Sequence, residues 1–210
     1  MCFDIAHINN SSIPALPTAP LIQHLESYIP LSQQERLLLQ ERFVPKQITR
    51  KQRILTEGMV CKHYSFIVQG CFRMYGVDDM GYEHNIQFAA ENDWIADIGS
   101  FHSQQPSGLI IQAIEEASIL QIEQQDLYFL YLNIPKLDRI FKVIIENKYV
   151  ELQNRVLQNF SSTAEQRYLR FLAQYPTLFH RLPNTHIASY LGITPEFLSK
   201  IRKGLTTKKK

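Results

Sequence analysis

Residues 186–203 of this 210-residue chain read HIASYLGITPEFLSKIRK and gather a carboxylate, hydroxyls, aromatic rings and cations in one short stretch. Thr194, Pro195, Glu196, Phe197, Ser199, Lys200, Arg202 and Lys203 form the candidate site. Their chemistry is recognition, not bond making. A carboxylate accepts a hydrogen bond from cytosine N4, an ammonium donates to guanine O6 and N7, and hydroxyls and cations hold phosphate oxygens. DNA is therefore the expected partner. Nothing comparable points to catalysis: His63, His84, His102 and Asp97 are scattered over expected strands and loops, without nucleophile–base or HExxH spacing. The chain is expected not to be an enzyme. Its three cysteines, Cys2, Cys61 and Cys71, lack a CxxC pair, so reduced thiols are expected and no metal site is assigned. An iron–sulfur cluster normally needs four soft ligands, more than one chain supplies here.

Two short helices must hold these side chains in place. Ile187 and Leu191 lie four apart on one face, with small Ala188 beside them to let a second helix approach. Gly192 falls where the first helix must stop, and glycine tolerates the positive φ that such a stop usually requires. Thr194 is a good N-cap and Pro195 a favoured first residue, so a second helix starts at once, with Leu198 and Ile201 turned back to the core. The candidate residues are left facing outward. Residues 163–210 hold nine Lys or Arg against two acids, a net of +7, which leaves −5 on the first 162 residues. A small basic module on a larger acidic body is the pattern of a polyanion-binding unit joined to a sensing or scaffolding unit.

The rest of the chain supplies that body. Residues 1–20 are rich in Asn, Ser and Pro and are expected to form a loose arm. Helical spacing follows from Leu21 to Phe43, with Ser32 as a cap and Glu35 three residues on. From Val44 to Leu132 the pattern turns to short apolar and polar alternation broken by glycines, and Val77 to Gly81 reads as a hairpin tip. About eight short strands of this kind make a barrel or jelly roll. Pro135 then opens about seven turns of helix, with Phe141, Ile144 or Ile145, Tyr149, Leu152, Val156 and Phe160 three or four apart. Two readings of this helix remain: packing on its own domain, or a two-stranded seam with a second copy. Ser161 to Gln166 looks like the capped start of the next helix, and three helices complete a small domain. The expected class is α+β: a flexible arm over 1–20, a β-roll domain over 21–134, a dimerisation helix over 135–160 and a helical domain over 161–210. With no apolar run of 18 residues and an N-terminus lacking a basic start, no membrane partner is expected and the location is expected to be cytoplasmic.

Over about residues 22–205 the chain resembles the Crp/Fnr superfamily of bacterial transcription regulators. LTEG and FIVQGCFRMYG resemble its cyclic-nucleotide-binding β-roll, the 136–160 helix its dimer helix, and IASYLGITPEFLSKIRK its helix-turn-helix. The resemblance implies a homodimer on a two-fold symmetric DNA site, RNA polymerase as a further partner, and an effector held in the β-roll. It places the base-reading positions on Pro195, Glu196 and Lys200. Pro195 stands where well-known members carry arginine, so one guanine contact is missing and the operator differs. The family's wing is expected to be absent or minimal, with Lys208, Lys209 and Lys210 supplying phosphate contacts from a tail. The effector segment departs further. Where members that bind cyclic nucleotides carry Gly-Glu-Leu and an Arg-Ser pair, this chain has Ala96-Asp97-Ile98, then Gly99, and Ser107-Gly108. Losing the arginine costs a charge-assisted contact of roughly 1.5–3 kcal/mol. Cyclic AMP is therefore not expected, and no cofactor is assigned; the pocket takes something uncharged or stays empty. A rival reading keeps the β-roll as a ligand-binding module but docks the helical tail on protein, which salt-insensitive target binding would favour.

Overall fold

The computed structural model describes residues 18–207. Two short helices come first, α1 (Ala19–Glu26) and α2 (Gln33–Arg42). The helical spacing over Leu21 to Phe43 is thus two helices, divided at Pro30, whose ring cannot continue a helix, with the second starting at the expected Ser32 cap. Most of the expected arm lies outside the described residues, and Ala19 and Pro20 already belong to α1, Pro20 at its start. Helix α2 opens with the expected capping box: Ser32 Oγ accepts from the Glu35 amide, and Glu35 accepts from the Ser32 amide at 2.6 Å.

Eight strands follow: β1 (Val44–Ile48), β2 (Arg53–Leu55), β3 (His63–Gln69), β4 (Phe72–Val77), β5 (Glu83–Ala89), β6 (Trp94–Ile95), β7 (Ile110–Ala113) and β8 (Ala117–Glu123). They form two four-stranded antiparallel sheets, ordered β1-β8-β3-β6 and β2-β7-β4-β5. Successive residues of the central strands β3, β4 and β8 are buried, so these strands are covered on both faces, and an aromatic cluster packs on β3 and β6. Tyr64 stacks on Trp94 with ring centroids 5.2 Å apart, and Phe66, Phe43 and Phe141 pack against the same indole. Gly70 sits at the β3–β4 turn with φ +100°, and a Cβ there would lie 2.8 Å from the Ala117 Cα. Only glycine fits that approach.

A short helix α3 (Ile98–Ser103) interrupts the sheets, α4 (Gln124–Asn133) closes the roll, and α5 (Pro135–Ser161) runs for 27 residues. At 1.5 Å per residue it is about 40 Å long, and its two halves differ. Leu137, Ile140, Phe141 and Ile144 are buried in the roll, whereas Ile145, Tyr149, Leu152, Val156 and Phe160 remain exposed, Phe160 at 86%.

The last unit comprises α6 (Ala164–Gln174), α7 (Asn184–Leu191) and α8 (Pro195–Thr207). Helix α6 begins with a capping box between Thr163 and Gln166, as the Ser-Ser-Thr stretch suggested. Its core is Phe171, Tyr175, Leu182, Ile187, Leu191 and Leu198, but the same cluster includes Cys71, Phe88 and Ala90 of the roll. Phe88 of β5 meets Phe171 at 6.3 Å and Tyr190 at 5.2 Å. The sequence reads as a basic module attached to an acidic body; the structure packs the two against each other through an aromatic seam.

Candidate nucleic-acid interface

The candidate site is the face of α8 set by the turn before it. Helix α7 ends on Gly192 at φ +66°, and the Ile193 amide donates to the Ala188 carbonyl at 3.0 Å, satisfying a carbonyl that the helix end would otherwise leave unpaired. Thr194 Oγ1 then accepts from the Phe197 amide at 3.2 Å and caps α8. Leu198 is fully buried beneath α7, and Ile201 and Leu205 pack against the same core. This is the division the spacing predicts.

What remains outside is Thr194, Glu196, Phe197, Ser199, Lys200 and Lys203 in exposed positions, with Pro195 and Arg202 half-buried. Several of these side chains bond within the protein. The Glu196 carboxyl lies below its ordinary range because its own amide, and after it the Thr194 hydroxyl, donate to it, so it is an anion at neutral pH. Ser199 Oγ donates to the Pro195 carbonyl at 3.0 Å. Arg202 donates to Asn184 Oδ1 at the start of α7, and its guanidinium lies 5.8 Å from the Phe179 ring. Lys208, Lys209 and Lys210 lie outside the described residues.

The other candidate set closes on itself. Asp97 caps α3 by accepting from the Ser100 amide at 3.2 Å, and Ser107 Oγ donates to the other Asp97 oxygen at 2.6 Å. Ser107 Oγ also accepts from the Leu109 amide at 2.9 Å, and its residue is 3% exposed. The structure therefore brings Asp97 and Ser107 together, but as mutual partners. Gly99 lies in α3, with Gly108 exposed after Ser107, and Ile98 reaches the rim of an apolar cavity of about 300 Å³ that also contains Met74, Tyr149, Leu152 and Tyr190.

Sequence reasoning missed the groups that join the two units. Ser189 Oγ accepts from the Asn85 amide at 3.0 Å and donates to the Glu83 carbonyl at 2.6 Å. Arg155 of α5 donates to the Asn85 carbonyl at 3.0 Å and the Tyr190 carbonyl at 3.3 Å, and its guanidinium lies 3.9 Å from the Tyr190 ring centroid. Arg181 bridges Glu91 at 2.9 Å and Glu115, with bonds to both. Those bonds push the Arg181 guanidinium further up. Burial opposes ionisation of Glu91, yet Arg181 and backbone amides, including that of Gly70, hold its carboxyl below the usual range. An arginine inside an otherwise apolar stripe, at Arg155, was the one available signal. Cys61 and Cys71 are buried, and burial raises both thiols, Cys71 to about 12. Among the described residues no cluster of three or more His, Cys, Asp or Glu side chains is placed to hold a metal, and no helix is long and apolar enough to cross a membrane.

Residues 45–133, which span the strands and α4, match the cyclic nucleotide-binding domain family. Beyond that segment, most of the chain shares its fold with solved structures. It is similar to FixK2 from Bradyrhizobium japonicum (TM-score 0.69, 18% identity, 79% of this chain and 85% of that one). It is similar to the c-di-GMP responsive global regulator CLP of Xanthomonas campestris (TM-score 0.70, 11% identity, 84% and 93%). A CooA mutant from Carboxydothermus hydrogenoformans gives 0.68 at 15% identity over 89% and 84%. The likeness is one of fold, and it extends past the matched segment to the helices that follow it. No curated protein sequence matches it.

Proposed function

We propose that this protein is a non-enzymatic, sequence-specific DNA-binding transcription regulator that acts as a homodimer. The observation that carries the reading is the α7–Gly192–α8 unit, a helix-turn-helix whose second helix buries Leu198 and presents Glu196, Ser199 and Lys200 to solvent. Glu196 and Lys200 read base edges in the major groove, while Arg202, Lys203 and the terminal lysines anchor phosphates. The exposed apolar stripe from Ile145 to Phe160 on α5 is the dimer seam, spaced three or four residues apart as a two-stranded coil requires. Pairing two copies there sets two α8 helices about 34 Å apart, one turn of B-DNA. Because Asp97 and Ser107 bond to each other and Ser107-Gly108 stands where the Arg-Ser pair would, the roll does not use a cyclic phosphate; its effector is uncharged, or it has none. RNA polymerase is the further partner at the promoter, and the cytoplasm is the location.

The test is selection of bound duplexes from a random pool at near-physiological salt. A two-fold symmetric motif with half-sites 10–10.5 bp apart is expected; recovery of no symmetric motif contradicts the reading. Salt dependence separates it from protein docking. Each phosphate contact contributes a slope of about −0.9 in log K against log salt, and a protein partner shows no such slope.

A further inference from the structure

Little backbone joins the two units. Only Ser162 and Thr163 separate α5 from α6, and a loop over 175–183 leads on to α7. What seats α7 on the roll, and α8 with it, is therefore side-chain contact. The apolar part of that contact, Phe88 against Phe171 and Tyr190, is adhesive but has no direction. The polar part has one. Strand β5 is the outer strand of its sheet, so one row of its main-chain groups has no neighbouring strand to pair with. Ser189 of α7 takes two of them, accepting from the Asn85 amide at 3.0 Å and donating to the Glu83 carbonyl at 2.6 Å. Arg155 of α5 donates to the carbonyls of Asn85, at 3.0 Å, and Ile86. The same guanidinium donates to the Tyr190 carbonyl at 3.3 Å, which the end of α7 would otherwise leave open, and lies 3.9 Å from the Tyr190 ring centroid. One planar group thus ties the helix that carries the apolar stripe, the edge of the roll and the helix that supports α8. Main-chain groups of one outward row recur every two residues, about 7 Å along a strand, so these bonds hold α7 at one register on β5.

We propose that Arg155 is a positioning residue for DNA recognition: together with Ser189 it sets the distance and rotation between the two reading helices of a dimer, and so the half-site spacing that the protein accepts. This rests on the proposed function, because it needs α5 as the seam and α8 as the reader. Under that division Glu196 and Lys200 choose the bases, and Arg155 chooses the interval between half-sites. One base pair added to the interval moves a half-site by about 3.4 Å and turns it by about 34°. An α8 held at one register meets that half-site out of place, whereas a loosely seated one follows it.

The experiment uses the full chain and a series of duplexes whose selected half-sites stand at the selected interval or at one or two base pairs more or fewer. The wild type should lose about tenfold in affinity for the first base pair of change. In Arg155→Ala that loss should fall to about threefold or less, with the half-site bases unchanged. Arg155→Lys, whose ammonium is a point charge without the planar fork, should recover only part of the preference. Ser32→Ala removes the α2 cap and so costs stability elsewhere; it should keep the wild-type spacing. A second readout needs no DNA. Hydrogen exchange of the Asn85 amide, which is bonded to Ser189 across the joint, should be about tenfold faster in Arg155→Ala. Should Arg155→Ala not fold, Ser189→Ala, which removes a single hydroxyl, carries the spacing test. Retention of the wild-type spacing preference overturns the proposal, and so does equal flattening in Ser32→Ala, since lost stability alone then explains it. If the wild type binds no symmetric duplex, the regulator reading fails and the Asn85 exchange alone decides: an unchanged rate shows that Arg155 does not position α7.

Discussion

Asp97 with Ser107 in the roll, and Glu196 with Ser199 on α8, pair the same kinds of side chain in opposite circumstances. The first pair is joined at 2.6 Å with Ser107 almost fully buried; the second has each member bonded to its own helix start, in water. A buried polar group without its partner bears a desolvation cost of about 1–3 kcal/mol. An exposed group exchanges its local bond for water or a base edge at little cost. The first pair therefore maintains a structure, and the second is available to a ligand. Similar residue types in a motif do not reveal this difference, because burial decides it.

The largest expected effect lies on neither pair but on the stripe proposed to join two copies of the chain. Leu152→Glu puts a carboxylate into the exposed stripe of α5, and sedimentation should show monomers. Affinity for a two-fold site should fall by on the order of 10²-fold or more, because the second half-site is no longer bound intramolecularly. Leu198→Ala comes next, removing a fully buried side chain from the framework of α8; a loss of about 2–5 kcal/mol should appear in urea unfolding. Ser107→Ala sharpens the comparison directly. Stability should drop by about 1–3 kcal/mol while the DNA motif stays unchanged, and a changed motif would show that this corner does more than hold the roll.

The seam between the units should behave like the buried pair. His186 is neutral in the folded protein because burial, and then Arg73, lower its pKa to about 4, whereas in the unfolded chain it titrates near the usual 6.5. The unfolded state thus binds more protons between these values. The contribution is complete above about pH 6.5 and is lost as pH falls toward 4. Since the ring is half-exposed, about 1–2 kcal/mol is expected after solvent screening. Urea titrations at pH 7 and 4.5 should show this loss in the wild type and a smaller one in His186→Asn. Deletion of Lys208 to Lys210 should have the smallest effect: it weakens all sequences alike and flattens the salt slope without altering the motif.

Much of this was legible where local chemistry decides the structure. The Ser32–Glu35 and Thr163–Gln166 caps, the hairpin between β4 and β5, the Gly192 stop and the Thr194-Pro195 start all follow from residues a few positions apart. Long-range pairing was not legible. Ser189 lies 104 residues from Asn85, and Arg181 lies 90 from Glu91, so no periodicity could join them. The restart of the helix at Ser32 was readable from its cap, and Pro30 just before it ends the preceding turn. The α8 face was readable as a set of residue types; that Glu196 and Ser199 first bond to their own helix became visible only in three dimensions.

Base-resolved selection with the wild type and Lys200→Ala tests most directly the claim that this face reads DNA. The wild type should yield a symmetric motif, and the variant the same motif with preference reduced at one base pair of each half-site by about 1–3 kcal/mol, at unchanged thermal stability. A variant motif identical to the wild type at every position would contradict the account.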